Sequence, residues 1–123
     1  MYALLRISRW KQGVFLMRVW KEFNFEAAHS LPDDRPGAPN ARIHGHSYMA
    51  RVYVDGEINP ETGMVVHMND MENAIHVARF RLDHMNLNEV MSHTEPTLER
   101  IAELIAVMFP ISTVSRVDVW RPT

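Results

Sequence analysis

Apolar and polar side chains begin to alternate at Met17: Val19, Lys21, Phe23, Phe25, Ala27 and His29 fall on one side, and Arg18, Glu22, Asn24 and Glu26 on the other. This period of two predicts a half-buried strand. Pro32, Pro36, Gly37 and Pro39, set among Asp33, Asp34 and Arg35, predict an irregular loop from Leu31 to Ala41. A second strand is expected from about Ile43 to Asp55, with His44, His46, Tyr48, Ala50, Val52 and Val54 on one face, and turns follow at Asp55-Gly56 and Asn59-Pro60.

The period then lengthens. Met71, Ala74, Ile75, Ala78 and Leu82 recur at helical intervals behind Asn69 and Glu72, which have capping-box spacing, so a helix is predicted over 70–81. A second helix is signalled by Thr97 as cap and by Leu98, Ile101, Ala102, Leu104, Ile105 and Met108, and it stops before Pro110. Val114 to Trp120 alternates again as a strand. The order β-β-α-α-β predicts an α+β fold, an antiparallel sheet with two helices packed on one face.

Met1 to Leu16 stands apart, because it mixes Arg6, Arg9 and Lys11 with Leu4, Leu5, Ile7 and Trp10 and has no unbroken apolar centre. It reads as an N-terminal extension rather than an added strand, ahead of a single domain over 17–123. A chain of 123 residues, 46% of them hydrophobic, suffices for one core. A net charge of -2 gives no general attraction to nucleic acid or anionic lipid. Charges interrupt every apolar stretch well short of the roughly 20 residues of a membrane span, so a cytoplasmic protein binding a small molecule is expected.

With no cysteine, a metal has only His, Asp and Glu to bind. His44 and His46 sit at i and i+2 of a strand and project from the same face, and His29 ends the preceding strand on its apolar side. Three imidazoles leave a fourth position open, as in catalytic zinc sites. HxH spacing alone also fits ordinary, partly buried histidines. His67, His76, His84 and His93 share no such spacing, and His76 falls on the polar side of the first helix.

Phe23-Asn24-Phe25-Glu26-Ala27-Ala28-His29 and Ile43-His44-Gly45-His46-Ser47-Tyr48 resemble the metal motifs of the 6-pyruvoyl-tetrahydropterin synthase family, and its bacterial 6-carboxytetrahydropterin synthase branch in particular. Gly63-Met64-Val65-Val66, Leu82-Asp83-His84-Met85-Asn86-Leu87-Asn88 and Glu95-Pro96-Thr97 follow in the family's order, so the resemblance runs from Arg18 to Arg121. It implies a T-fold assembled as a homo-oligomer, trimer or hexamer, with active sites between subunits. It also implies zinc on His29, His44 and His46, and a lyase acting on 7,8-dihydroneopterin triphosphate in tetrahydropterin or queuosine-type deazapurine biosynthesis.

Asp83 and His84 match the family's catalytic Asp-His pair, in which the carboxylate orients an imidazole that moves protons; an Asp-His at a helix-ending turn can equally lack chemistry. Thr97 and Glu99 match the ligand-pocket segment, although helix capping also accounts for Thr97. The chain departs from the pattern at four places. Asn40 stands where the family has its catalytic cysteine, Arg121 where it has a pterin-anchoring glutamate, and His67 where an aspartate is expected, and Thr123 falls where a further strand usually follows. Arg121 only donates hydrogen bonds, so it favours an anionic or acceptor-rich edge. Two readings follow: a zinc-dependent pterin-processing enzyme, or a zinc-binding T-fold module holding another ligand without this catalysis.

Overall fold

A computed structural model describes residues 2–11, 13–32 and 35–122. The elements are β1 (Tyr2–Lys11), β2 (Val14–His29), β3 (His44–Gly56), α1 (Met68–Leu82), β4 (Met85–Asn86), α2 (Leu87–Val90), α3 (Leu98–Met108) and β5 (Val114–Trp120), with a 3-10 turn at Pro39–Ala41. The main sheet runs in the order β1-β2-β3-β5, all antiparallel, and β4 adds a short parallel pairing to β2. The expected α+β arrangement is present, with one parallel contact and one extra helical turn in it.

Strict alternation along β2 and β3 divides the sheet into two chemically different faces. Phe23, Phe25, Ala27, Tyr48, Ala50 and Val52 form the inner face, over which α1 lays Ala74, Ile75, Ala78 and Leu82 and α3 lays Ile101 and Ile105. Phe25 and Tyr48 stack with ring centroids 5.0 Å apart. Lys21 also lies on this face and its ammonium pairs with Glu72 of α1. On the outer face Arg18 meets Asp55 through two bonds of 2.8 and 3.0 Å, Arg51 pairs with Glu22, and the Arg51 guanidinium lies 4.1 Å from the centre of the Trp20 ring. Ion pairs and aromatic rings, rather than a second helical layer, occupy that side.

Two local expectations change. Helix α1 begins at Met68, because His67 is its cap: His67 Nδ1 accepts from the Asn69 N–H at 3.2 Å, which places Asn69 inside the first turn. Thr97 caps α3 as expected, its hydroxyl accepting from Arg100 N–H at 3.3 Å. The segment read as an extension over 1–16 instead supplies β1 and the first residues of β2, with Ala3 opposite Trp20 and Leu5 opposite Arg18. Gly13, at φ 79°, turns the chain between Lys11 and Val14. A register shift between Arg6 and Trp10 breaks the period of two, which is why the alternation does not betray this strand.

Candidate metal centre

Pairing of β2 with β3 sets His29 directly opposite His44 and Ala27 opposite His46, so all three imidazoles stand on the inner face at the end of the hairpin. Ring centroids are 4.6 Å (His29–His44), 5.1 Å (His29–His46) and 4.8 Å (His44–His46) apart, and one ligating nitrogen from each lies within 4.8 Å of the other two. His29 is buried, only 4% exposed, while His44 and His46 are half-buried.

Backbone carbonyls orient two of the rings. His29 Nδ1 lies 2.9 Å from the Pro96 carbonyl and His44 Nδ1 lies 2.7 Å from the Arg42 carbonyl. A carbonyl only accepts, so each Nδ1 carries a proton, and it is Nε2 that holds the lone pair in the neutral form of such a ring. This is how an outer-shell acceptor prepares an imidazole for a metal. Burial pushes the His29 pKa below the ordinary value, against the Pro96 carbonyl, and burial followed by Arg121 lowers that of His46. Both effects favour the neutral ring that coordination requires.

Tyr48, two residues beyond His46 on the same face, holds its hydroxyl 3.4 Å from both His29 ring nitrogens, and burial pushes its pKa up to about 12. Arg121, just past β5, places Nη1 3.0 Å from His46 Nε2. The donor set fits zinc: three neutral nitrogens bound at about 2.0–2.1 Å stand roughly 3.4 Å apart around a tetrahedral ion. A modest closing of the rings reaches that spacing.

Asp83 and His84 come together elsewhere. Asp83 caps the C-terminus of α1; its Oδ1 accepts from the Glu26 N–H at 2.8 Å and its Oδ2 lies 3.0 Å from His84 Nδ1. The Glu26 N–H, followed by His84, holds the Asp83 carboxyl below the usual carboxylate range. His84 donates its N–H to the Glu26 carbonyl at 2.6 Å, has φ 60°, and leaves its side chain 81% exposed. A positive φ in a histidine is a strained conformation, often tolerated at functional sites.

The adjoining cleft, about 630 Å³, is lined by Glu26, Ala27, Ala28, Gly45, His46, Ser47, His84, Met85 and Asn86. Glu26, Ala28, Gly45 and Ser47 alternate with the triad positions, so these four belong to the outer face, while His46 of the triad also borders the cleft. Among the described residues the Asp-His pair makes no hydrogen bond to the triad, and His46 is the triad member that shares its cleft.

The other site candidates divide in the same way. Arg121 joins the triad directly. Thr97 is committed to its cap, and Glu99 is exposed in the first turn of α3, one turn beyond the carbonyl that holds His29. Asn40 is exposed on the 3-10 turn, where its carbonyl accepts from the Leu31 N–H at 2.7 Å. The structure does not bring its side chain to the triad. His67 is a helix cap, and His76 and His93 are exposed. Sequence reasoning overlooked Tyr48, although its place two residues beyond His46 marks it, and the Pro96 and Arg42 carbonyls, which no side-chain pattern announces.

A histidine triad able to hold a metal ion, at the inner end of an antiparallel hairpin in an α+β fold, defines the class of protein to look for. The sequence profile of 6-pyruvoyl tetrahydropterin synthase matches residues 18–122, and the chain belongs to that family. It is 38% identical over 92 residues to the 6-carboxy-5,6,7,8-tetrahydropterin synthase of Synechocystis, covering 71% of this chain and 70% of that protein. It is 34% identical over 90 residues to the human 6-pyruvoyl tetrahydrobiopterin synthase, covering 67% of this chain and 62% of the human one. The fold matches Caenorhabditis elegans 6-pyruvoyl tetrahydropterin synthase with a TM-score of 0.73 at 21% identity, over 88% of this chain and 96% of that one. The architecture is the family's T-fold. Among the described residues no helix is long and apolar enough to cross a membrane.

Proposed function

We propose that this chain is a zinc-dependent pterin-processing enzyme of the 6-carboxytetrahydropterin synthase type. Its substrate is 7,8-dihydroneopterin triphosphate or a related heterocycle. The observation that carries this reading is the triad itself, in which one ring nitrogen of each histidine lies within 4.8 Å of the others and carbonyls hold Nδ1 of His29 and His44. Bound there, zinc supplies Lewis acidity toward hydroxyl and carbonyl oxygens of a substrate.

The chain's own residues supply the rest of the proposed chemistry. The Asp83 carboxylate accepts from His84 Nδ1–H and leaves His84 Nε2, exposed to the cleft, to take up or deliver a proton. Glu99, a carboxylate, suits the donor edge of an amino-pyrimidine ring, and Thr97 keeps that turn of α3 in place. His84 shares a cleft with His46 but makes no hydrogen bond to the triad within one chain, and the site is completed where a second subunit closes over this cleft. The working unit of this reading is a homo-oligomer, a trimer or a hexamer. Detection by mass spectrometry of a tetrahydropterin product from dihydroneopterin triphosphate tests the reading, and a zinc-loaded oligomer that yields none would refute it.

A second reading is favoured by Arg121 and Asn40. A guanidinium beside the triad and an amide where relatives of this type carry a thiol suit a zinc-binding module that holds an anionic or acceptor-rich ligand without this reaction. Comparing wild type with Asn40→Cys, Arg121→Glu and the double variant separates the two: restored turnover in the double variant supports an altered enzyme, and none supports the module.

A further inference from the structure

Arg121 occupies a ring-nitrogen lone pair of a triad histidine. A guanidinium only donates, so His46 Nε2 is the acceptor of the 3.0 Å contact and carries no proton. One ring nitrogen of each of His29, His44 and His46 lies within 4.8 Å of the others, and the carbonyl bonds at Nδ1 of His29 and His44 leave Nε2 as the free nitrogen of those two rings. A zinc–nitrogen bond is about 2.0–2.1 Å long, so a metal held by His46 Nε2 and a guanidinium nitrogen 3.0 Å from the same atom compete for one place.

Charge adds to the competition. The triad contains no carboxylate, and among the described residues none pairs with Arg121, while Asp118, the nearest acid along β5, is engaged by Arg116 at 2.7 Å and Tyr53 at 3.0 Å. A divalent ion at the triad and the guanidinium beside it would be like charges with nothing between them.

We infer that Arg121 guards the metal site and yields to an anion. A ligand with a carboxylate or a tetrahedral oxyanion takes the guanidinium's fork of donors, draws it away from His46, and lies between the two positive charges. Metal binding and anion binding then strengthen each other, and by linkage the enhancement is equal in both directions. The inference rests on the metal reading of the triad and extends it to the class of ligand group that sits beside the ion.

The test measures zinc affinity by competition with a chromophoric chelator, for wild type and Arg121→Met, with and without acetate or sulfate at constant ionic strength. Arg121 is exposed and follows the last strand, so the variant is expected to fold, and circular dichroism checks that it does. Without added anion, Arg121→Met should bind zinc about tenfold tighter than wild type, the factor that one charged hydrogen bond corresponds to. Acetate or sulfate should tighten zinc binding to wild type several-fold and leave Arg121→Met unmoved; the more effective anion tells a carboxylate ligand from a phosphate-like one. Equal zinc affinity in the two proteins, or an anion response that survives in Arg121→Met, overturns the guard. Failure of the metal reading looks different, since wild type would then bind zinc no better than His44→Ala in every buffer.

Discussion

Replacing His29 and His44 separately with alanine distinguishes holding a metal from holding the fold, because the two side chains are equivalent in the triad but not in their surroundings. His29 is 4% exposed and donates to the buried Pro96 carbonyl at 2.9 Å. Truncating it leaves that acceptor unpaired, which costs about 1–3 kcal/mol, and opens a hole between β2 and the start of α3, for which about 1 kcal/mol more is reasonable. A total of roughly 3 kcal/mol corresponds to a fall of about 10 °C in the Tm of a domain of this size. His44 is half-buried and its bond to the Arg42 carbonyl lies near solvent, so its removal should cost about 0.5 kcal/mol.

Thermal unfolding in excess chelator should therefore show His29→Ala well below wild type and His44→Ala within about 2 °C of it. Zinc titration should show both weakened by more than the roughly 10–100-fold that loss of an outer-shell partner costs. His76→Ala, exposed on α1, is the control that changes neither. Full zinc binding by His44→Ala would refute the triad as a metal site, and a metal-free His29→Ala as stable as wild type would refute the structural account of the Pro96 bond.

Tyr48 gives an alkaline signature. Its pKa, pushed up to about 12, lies above the unfolded value of about 10, so the folded state keeps a proton that the unfolded chain gives up; stability is intact below pH 10 and declines by roughly 3 kcal/mol as the pH rises toward 12. Urea midpoints compared at pH 8 and 11 should fall less for Tyr48→Phe than for wild type, and parallel declines would contradict the burial argument. His84→Gly relieves a positive φ, so stability should hold or rise by up to about 1 kcal/mol while turnover is lost and zinc content is retained; loss of zinc along with activity would show that the two sites are not separate. Deleting residues 1–11 exposes the edge of β2, and light scattering should report a smaller or broader assembly. An unchanged mass would mean that β1 takes no part in assembly.

The legible parts of this chain are those long enough to show a period. Strands β2 and β3 and helix α3 each carry their buried residues at regular intervals, and β5 has the predicted bounds, Val114–Trp120. Strand β4 and helix α2, of two and four residues, are too short for any period to emerge. Histidine is an uncommon cap, which drew the start of α1 toward Asn69 although His67 does the capping. The triad was legible for a related reason: alternation fixes which face a strand residue takes, and antiparallel pairing brings His29 opposite His44. Nothing local could join Arg121 to His46, since they lie 75 residues apart and meet only because β5 runs back along β3.

That return of β5 gives the departures from the family pattern different weights. Asn40 is on an exposed turn, and the structure gives no contact between its side chain and the triad. Arg121 acts inside one chain, directly on a triad histidine. Asp83 and His84 lie in the turn between α1 and β4 and are tied to the Glu26 backbone by bonds of 2.8 and 2.6 Å, three residues before His29 on β2. One strand therefore anchors both the pair and a member of the triad, without a hydrogen bond joining them. On the proposed reading the triad is complete within one chain while turnover needs the assembly, so the two should respond differently to dilution, with zinc retained when subunits part and turnover lost; a loss of zinc in step with turnover would refute that division.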